Sequence, residues 1–514
     1  MLQVIYPLGF IVSLSGLILW FYYQDNPQRS RLMSSAFLGG FMIYLFSLAF
    51  SDGTLSTKLW VLFRDLMVLG VVSQGFNFIR RNTILFFGAL GLLYYVFYAF
   101  GFQRMSQSLT EAPSRLSTEA NFYGELLVDM VEGKDLEQLD RVLAAYGATR
   151  YQRAFQPERA DQTELDDYLV LDLPDTEVDR IADLEKDLLN SGLVDWVEEN
   201  ERIQLDPLEQ VPSLRRGISY GINDPAVDQL WGFEAMKVNE LYDLLRKQEV
   251  RPQRKALIAI LDTGIDAAHE DLAANYKSIA RKHDSDPQGH GTHCAGIAAS
   301  VSNNKKGVAS FSLQNDFVEV ASVRVLGAYG GGTQQSIIKG IIEAADRGAD
   351  VISMSLGGPS NRQRQRAYEQ AIRYANKAGA IVVAAAGNSN ANAANYSPAN
   401  APSAITVSAV DTNLNRASFS NYVTDVNQGI AAPGVQIYST IPKNRYAAFN
   451  GTSMATPYVA GLLGLLKSIQ PDLTTKQAYK IINSTGADTQ NTAQTGKLIQ
   501  PAAAVKALLQ QVNK

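Results

Sequence analysis

Four long apolar runs dominate the first 103 residues and constrain the fold of this chain more than any other feature of its sequence. Each run approaches the roughly 20 residues that cross a bilayer as a helix. Four such runs in succession exceed the core helices of an ordinary soluble domain, so a buried helical bundle is the weaker alternative. The third run also contains the adjacent charges Arg64 and Asp65, which are costly at that depth unless they are paired. We therefore expect about four transmembrane helices in contact with membrane lipid, at about 3–23, 33–50, 59–79 and 83–103.

Basic residues beside these runs predict their orientation. Arg29 and Arg31 lie between the first two runs, and Arg80 and Arg81 lie between the last two. The intervening loop has only Lys58, so the positive-inside rule places both arginine loops in the cytoplasm. An even number of spans then puts the rest of the chain outside the cytoplasm, in the periplasm or the extracellular space. The first run lacks a basic start and a small-residue cleavage site, which argues against a removable signal peptide.

Charge and cysteine content exclude several classes of function. The net charge is -5, and no cluster of basic residues offers a surface for nucleic acid. The single cysteine, Cys294, excludes an internal disulfide, and no paired cysteine motif predicts a zinc site. We expect Cys294 to be a small buried residue rather than a redox group. A length of 514 residues predicts more than one domain, and the polar stretch 104–123 is typical of a linker.

Residues 124–206 show a pattern of short alternating elements. Their apolar spacing predicts strand, helix, strand, strand, helix and strand, with Gly147 and Gly192 ending the two helices. This is the order of a split, ferredoxin-like α+β domain. Such a fold does not identify a function by itself, because sites rather than folds carry the chemistry.

Ser453, in the stretch NGTSMATP, directly precedes the body of a helix-like run. A serine in this position is ordinarily an N-cap or a turn residue. Its hydroxyl becomes an effective nucleophile only when a base accepts its proton, an acid orients that base, and nearby donors stabilise the oxyanion. The rest of the chain must supply those groups.

Three further motifs contain suitable residues. Asp262 ends the continuously apolar run Ala256–Leu261, at the carboxyl end of a strand where α/β sheets form their sites. His290, in GHGTHCAGIAAS, has the pKa range of a general base and is preferred to His293; no carboxylate pattern supports a metal site at this pair. Asn388 follows the apolar run GAIVVAAAGN and can donate to an oxyanion, although asparagine there is more often a turn residue.

The order Asp262, His290, Ser453 along the chain is that of subtilisin and not of chymotrypsin or the α/β-hydrolases. From about Asn223 to its C-terminus the chain resembles the subtilisin-like serine proteases, especially their thermitase-like branch. The resemblance rests on LDTGIDAAHEDL, GHGTHCAGIAASVSNNKKGVA, VISMSLGG, VVAAAGN, FSNY, AAPGVQIYST and GTSMATPYVAG. It implies a doubly wound α/β catalytic domain with a mostly parallel sheet, those three residues as the triad, and Asn388 as the oxyanion donor.

The resemblance also covers regions around the triad. LVDWVEEN, at the end of the small domain, resembles the propeptide of these proteases, which assists folding and inhibits the active site with its C-terminal tail. The family clamps an extended peptide between two glycine-rich edges by β-augmentation. In this chain the edges are Gly330, Gly331 and Gly332 on one side, and Ser355, Leu356, Gly357 and Gly358 on the other.

Calcium is the one cofactor that the resemblance implies, and no organic cofactor is expected. In the thermitase-like branch an N-terminal aspartate, an aspartate after the first triad motif and an asparagine loop share one ion. Calcium takes six to eight oxygen ligands, so one or two more are needed beyond the set found here. Lys305 and Lys306 add unfavourable positive charge nearby. The corresponding ligands are Asp224, Asp271 and Asn304, with the carbonyl oxygens of Val301, Lys306 and Val308.

Together these features predict a membrane-anchored serine endopeptidase made as a zymogen, with its own propeptide as intramolecular inhibitor and peptides or proteins as substrates. The alternative is a catalytically silent subtilase-fold binding or regulatory protein, against which the intact triad and Asn388 argue. An intramembrane protease is excluded because the apolar runs contain no histidine. The predicted regions are 1–103 (transmembrane), 104–123 (linker), 124–206 (propeptide), 207–221 (autoprocessing) and 222–514 (catalytic).

Overall fold

The chain divides into two compact units, Met1–Ser117 and Thr118–Lys514, in a computed structural model. The structure describes residues 2–50, 55–97, 117, 122–147, 149–217, 220–360 and 366–512. Most of the predicted linker 104–123 lies outside the described residues, as do the end of the fourth apolar run and residues 218 and 219 of the predicted processing segment.

The first unit contains four helices at the positions of the four apolar runs. Asn26 and Asn82 begin the second and fourth helices by accepting hydrogen bonds from first-turn N–H groups. Among the described residues, two helices are long and apolar enough to cross a membrane, Pro27–Ala49 and Val61–Ile79; the apolar helices Tyr6–Tyr22 and Thr83–Tyr95 are shorter. Length and composition thus support two of the roughly four predicted membrane spans. The helices are α1 (Leu2–Tyr22), α2 (Pro27–Ala49), α3 (Leu55–Ile79) and α4 (Thr83–Val96).

The two charges in the third run are paired inside this unit. Arg64 Nε lies 2.8 Å from Asp65 Oδ1, and the Asp65 side chain is almost fully buried. The hydroxyls of Tyr44 (at 3.2 Å) and Tyr6 also donate to Asp65. The carboxylate therefore has three donors, which offsets the cost of placing it among apolar helices.

The second unit begins with the small domain, whose elements follow the predicted order. They form an antiparallel four-stranded sheet in the order β2-β3-β1-β4. Leucines spaced four apart on each helix, such as Leu184 and Leu188, are fully buried against this sheet. The elements are β1 (Leu126–Met130), α5 (Leu136–Leu143), β2 (Arg150–Arg153), β3 (Tyr168–Asp172), α6 (Ile181–Asn190) and β4 (Val194–Glu199).

The predicted final strand of this domain, VDWVEENERIQL, is divided in two. Its first part is β4, and its second part, β5 (Arg202–Gln204), pairs with β8 (Gly331–Thr333) of the following domain. The sequence alternation is similar in both parts, so the pattern alone did not show that the strand changes partner after Glu199.

The remaining domain is built on a six-stranded parallel sheet with the order β14-β13-β11-β9-β6-β7. The sheet is buried on both faces, as continuously apolar strands predict. The strand order reverses at β6, the topological switch point where α/β sheets form their sites. The strands are β6 (Ala256–Asp262), β7 (Val318–Arg324), β9 (Val351–Met354), β11 (Ile381–Ala385), β13 (Ile405–Val410) and β14 (Gly429–Pro433).

Helices cover both faces of this sheet. Ile258 and Ile260 face the larger apolar core, and Ala259 and Leu261 face the second core, as the two-residue period of a strand requires. This agrees with the predicted doubly wound α/β fold. The helices are α7 (Trp231–Ala235), α8 (Val238–Lys247), α9 (His290–Ala299), α10 (Gln334–Asp346), α11 (Arg366–Lys377), α12 (Thr452–Ile469), α13 (Thr475–Thr485), α14 (Thr492–Thr495) and α15 (Pro501–Val512). The smaller strand pairs are β10 (Gly358–Pro359) with β12 (Tyr396–Ser397), and β15 (Ile437–Ile441) with β16 (Arg445–Phe449).

Candidate active site

Asp262 and His290 meet at the carboxyl end of β6. Asp262 is the last residue of β6, and His290 is the first residue of α9. Both carboxylate oxygens of Asp262 lie 2.8 Å from Nδ1 of His290, and both side chains are almost fully buried. A Cβ at Gly291 would lie 2.1 Å from the carbonyl oxygen of Gly264, so only glycine lets α9 approach the strand this closely.

Asp286 holds the start of α9 in place and was not recognised from the sequence. Its Oδ1 accepts a hydrogen bond from Gly289 N at 2.8 Å, and its Oδ2 accepts one from Thr292 N at 2.8 Å. Oδ1 also accepts from the hydroxyl of Thr263, the residue after the β6 aspartate. This carboxylate therefore ties the end of β6 to the helix that carries His290. The signal available in the sequence was an aspartate within one turn of the predicted helix start.

The electrostatic surroundings distinguish the two histidines of α9. Burial by itself lowers the pKa of His290, but the adjacent Asp262 carboxylate outweighs this effect and holds that pKa well above its usual value. Burial lowers the pKa of His293 to about 3, and its Nε2 lies 3.0 Å from the carbonyl oxygen of Ala447. His293 is thus a neutral side chain bonded to the neighbouring hairpin, whereas His290 has the carboxylate partner that a general base requires.

Ser453 lies in the first turn of α12 and does not cap it. The N-cap position is Gly451, whose φ of 153° is in the region that favours glycine. The Ser453 hydroxyl donates to the carbonyl oxygen of Ser355 at 3.1 Å. The N-cap alternative is therefore wrong for this serine, and its side chain is half-buried in the cleft that also contains His290.

Asn388 follows β11, and its amide orientation is fixed by the helix that carries the serine. Its Oδ1 accepts hydrogen bonds from Thr452 N and Thr452 Oγ1, both at 2.9 Å. Because the oxygen is held by these donors, the Nδ2 group faces the cleft as a donor. There it donates to Oδ2 of Asp206 at 3.1 Å. The amide is oriented as an oxyanion donor must be, and the anion that it contacts belongs to the chain itself.

One of the two glycine-rich edges lines this cleft, and the other pairs with the tail of the small domain. Gly331 and Gly332 belong to β8, Gly330 directly precedes it, and Gly358 begins β10. Ser355, Leu356 and Gly357 line a cavity of about 560 Å³ together with Ser453 and His290. The strand β5 occupies one edge, with Ile203 opposite Gly332 and Gln204 opposite Gly331. The edge Gly331–Thr333 therefore pairs with an extended segment supplied by the chain itself.

Cys294 is buried beside the pair formed by Asp262 and His290. Its Sγ lies 3.9 Å from His290 Nδ1, and burial raises the pKa of its thiol. Among the described residues, Asp262, His290 and Cys294 are the one group of three histidine, cysteine or carboxylate side chains close enough to share a metal ion. A neutral buried thiol agrees with the expectation of a small buried residue.

The residues expected to bind calcium come together away from the cleft. Asp224 accepts hydrogen bonds from the N–H groups of Asn303 (2.7 Å) and Asn304 (3.0 Å). Asp271 accepts from the Asn304 side chain and from Val308 N, both at 2.8 Å. The loop that contains Val301, Asn304, Lys306 and Val308 is therefore held by both carboxylates.

Two observations test whether this set fits a cation. Burial raises the pKa of Asp224 and raises that of Asp271 to about 7, so two ionised carboxylates are costly here without a positive partner. No basic side chain pairs with either one among the described residues. Lys306 Nζ lies 3.6 Å from Glu270, which balances the lysine charge that counted against the site. The site offers several oxygen ligands and no basic side chain paired with its carboxylates, and such a site fits calcium.

Comparisons with known proteins agree with this geometry. Residues 253–499 match the group described as the subtilase family. Thermitase from Thermoactinomyces vulgaris is 48% identical over 220 residues, which are 41% of this chain and 75% of the relative. Subtilisin DY from Bacillus licheniformis is 41% identical over 247 residues, 47% of this chain and 86% of the relative. A solved protease structure from Pseudoalteromonas arctica has 31% identity and a TM-score of 0.50, covering 56% of this chain and 99% of that one.

Proposed function

The chain belongs to the subtilase family and is a serine endopeptidase, and from this premise we propose that it is a membrane-anchored zymogen that uses Asp262, His290 and Ser453 as its triad. The observation that carries the proposal is the buried Asp262–His290 pair, 2.8 Å apart, in the cleft shared by Ser453 and Asn388. Its catalytic domain cuts peptide bonds outside the cytoplasm.

In this mechanism the Ser453 hydroxyl gives its proton to Nε2 of His290 as Oγ attacks the carbonyl carbon of the substrate. Asp262 holds the Nδ1–H of His290 and stabilises the imidazolium that forms. The amide of Asn388 and the backbone N–H of Ser453, at the start of a helix, stabilise the oxyanion. His290 then protonates the leaving amine, and water releases the acyl group by the reverse sequence of proton transfers.

The contacts of the small domain support its role as a propeptide. Glu198, which is 1% exposed, accepts hydrogen bonds from the first N–H groups of α11, those of Arg366 (2.7 Å) and Ala367 (3.2 Å). Asn200 Oδ1 accepts from Gln335 N, in the first turn of α10, at 2.9 Å. The first N–H groups of a helix have no partner within the helix. The small domain therefore stabilises two helices of the catalytic domain while its tail fills the cleft.

Ion pairs reinforce the same interface. Arg366 lies 3.4 Å from Asp129 of β1 and 3.2 Å from Glu164. Asp129 is buried, so its pairing with Arg366 reduces the cost of that burial. Charge complementarity of this kind favours one docking orientation of the small domain.

Membrane anchoring rests on the apolar helices of the first unit and on the positions of the arginines. The two candidate spans, Pro27–Ala49 and Val61–Ile79, lie on either side of the loop that has few basic residues. With the arginine loops in the cytoplasm, the shorter helix α4 must also cross the membrane, and the catalytic domain then emerges on the opposite side. Ser453-dependent processing within 207–221 would release it from the anchor.

Immunoblots of the wild type and the Ser453→Ala variant test this function. The wild type is expected to yield a fragment of roughly 32 kDa, in proportion to 56.2 kDa for the whole chain, and the variant is expected to stay full length. Labelling of the processed fragment by a fluorophosphonate reports the activated serine, because the docked tail fills the cleft of the uncut chain. An unlabelled wild-type fragment would contradict the triad, and equal processing of both chains would contradict self-processing.

We further propose that one calcium ion binds at Asp224, Asp271 and Asn304, with carbonyl oxygens of Val301, Lys306 and Val308 as further ligands. When bound, the ion would neutralise the two buried carboxylates and hold the loop 301–308 against the N-terminal segment of the catalytic domain. The site lies outside the cleft, so its role is structural.

Removal of calcium is expected to lower the melting temperature of the protein by roughly 5 to 10 °C, the shift for a ligand at about 100 times its Kd. Thermal unfolding in EGTA and in excess calcium measures this difference. Asp271→Asn should abolish the difference, whereas Asp243→Asn, on the exposed face of α8, should retain it. Identical melting of the wild type in both buffers would contradict the site.

A further inference from the structure

The tail of the small domain runs through the whole active-site cleft. On one side β5 pairs with β8, and Leu205 N donates to the carbonyl oxygen of Gly330 at 3.0 Å. On the other side Val211 N donates to the carbonyl oxygen of Ala448, in β16, at 3.0 Å. Residues 206–210 therefore cross the cleft between two fixed points, in front of the catalytic groups.

Asp206 is the tail residue at the oxyanion donor. Its carboxylate oxygen, Oδ2, accepts a hydrogen bond from Asn388 Nδ2 at 3.1 Å. Leu205 is buried, whereas Asp206 and Pro207 are exposed at the mouth of the cleft. A residue whose carbonyl carbon is attacked must direct its carbonyl oxygen to that donor. The side chain of Asp206 takes this place, so the bond after Asp206 lies in the same cleft as Ser453 in an arrangement that is not reactive.

The residue after this bond is proline. We propose that Pro207 makes the Asp206–Pro207 bond resistant to the enzyme's own triad, so that the tail remains an uncut inhibitor. Processing then occurs on the C-terminal side of Pro207 and is carried out by a second molecule. This inference rests on the proposed function, because it needs an active triad.

The chemistry of cleavage explains the resistance. Hydrolysis would form a bond between Ser453 Oγ and the carbonyl carbon of Asp206 and break the bond from that carbon to the nitrogen of Pro207. The proton from Oγ would pass through His290 Nε2 to the departing nitrogen. In proline this nitrogen carries a ring carbon in place of hydrogen, and the ring also restricts the backbone of the preceding residue. The ring thus obstructs both the approach of the imidazole and the adjustment that would bring the Asp206 carbonyl to Asn388.

Exposed chain follows the cleft and is available to another molecule. Pro212 and the stretch 215–217 are exposed, and the Pro212 carbonyl accepts a hydrogen bond from Gln436 at 3.1 Å. Exposed polar segments of this kind are preferred sites of proteolysis. Because they lie beyond the fixed point at Val211, they cannot reach Ser453 of the same chain while the tail is docked.

Processing of the full chain in detergent tests the inference, with Pro207→Ala as the informative variant and Pro212→Ala as the matched control. New N-termini are mapped by mass spectrometry over a dilution series. Pro207→Ala should gain a cut directly after Asp206, at a rate independent of protein concentration. The wild type and Pro212→Ala should be cut only at positions C-terminal to Pro207, at rates that rise with protein concentration. The double variant Pro207→Ala with Ser453→Ala should remain intact.

Two results would overturn the inference: a wild-type cut between Asp206 and Pro207, or a folded Pro207→Ala chain without a cut there. Circular dichroism and thermal unfolding establish that the variant is folded, and Pro207→Ser replaces it if it is not. The Ser453→Ala chain, offered to the wild type as a substrate, maps the intermolecular cuts separately. A processed wild-type fragment that fluorophosphonate labels but that was cut after Asp206 contradicts this inference alone, whereas a processed fragment that stays unlabelled contradicts the proposed function as well.

Discussion

Replacing His290 by alanine is expected to lower the turnover of a peptide substrate by about a millionfold, the loss seen when the triad histidine is removed from subtilisin itself. The physical reason is that a serine hydroxyl is a poor nucleophile until a base accepts its proton. Fluorophosphonate labelling of Ser453 should fall together with turnover, although the serine itself is unchanged. The variant cannot process itself, so wild-type enzyme cuts it and is then removed before turnover and labelling are measured, with active-site concentration determined by titration of the wild type.

The matched control for this variant is His293→Gln. His293 lies on the same helix, is equally buried, and uses its Nε2 to contact the carbonyl oxygen of Ala447. A glutamine amide can donate the same hydrogen bond, so turnover should remain close to that of the wild type. A large loss in His293→Gln with retained turnover in His290→Ala would reverse the assignment of the base.

Replacing Asp262 by asparagine is expected to reduce turnover by about 10⁴-fold, because the imidazole loses both its orienting partner and the charge that stabilises its protonated form. The same change should alter the pH dependence. The base acts as the neutral imidazole, and Asp262 holds the pKa of His290 above its usual value. Wild-type turnover therefore falls as the pH falls through that raised pKa. Loss of the carboxylate lowers the pKa, so the acid limb of the residual activity should move to lower pH.

The pH profile of turnover for Asp262→Asn and the wild type measures this shift. Asp266→Asn is a suitable control, because its carboxylate lies on the following loop and accepts hydrogen bonds from Ala268 N and Lys443 N rather than from the catalytic histidine. Its acid limb should coincide with that of the wild type. An acid limb that stays in place in Asp262→Asn would contradict the electrostatic role given to the aspartate.

Much of the candidate site was predictable because its residues lie at strand ends and helix starts, which the local sequence pattern indicates. A continuously apolar run predicts a buried parallel strand, and a polar residue at its carboxyl end then lies where α/β sheets form sites. Asp262 and Asn388 both satisfy this rule. His290 opens α9 directly after Gly289, and Ser453 is the second residue of α12, after Gly451 and Thr452; the local sequence also indicates both helix starts.

Residues that act across domains were not predictable in the same way. Glu198 and Asn200 belong to a stretch that reads as one alternating strand, yet they accept hydrogen bonds from N–H groups at the starts of α11 and α10. The pattern of a strand records which side chains face a core, and it carries no information about the helices that reach it from a distant part of the chain. The change of strand partner after Glu199 escaped prediction for the same reason.

The sequence alone determined which segments are apolar enough for membrane or core, the order of strands and helices in the small domain, and the order of Asp262, His290 and Ser453 along the chain. Only the tertiary structure decided that Asp206 contacts Asn388 and that Asp206 and Pro207 lie in the same cleft as Ser453. Spacing along the chain fixes local backbone geometry, whereas these contacts join residues 182 apart and depend on how the small domain docks. Long-range docking of that kind has no periodic signature in the sequence.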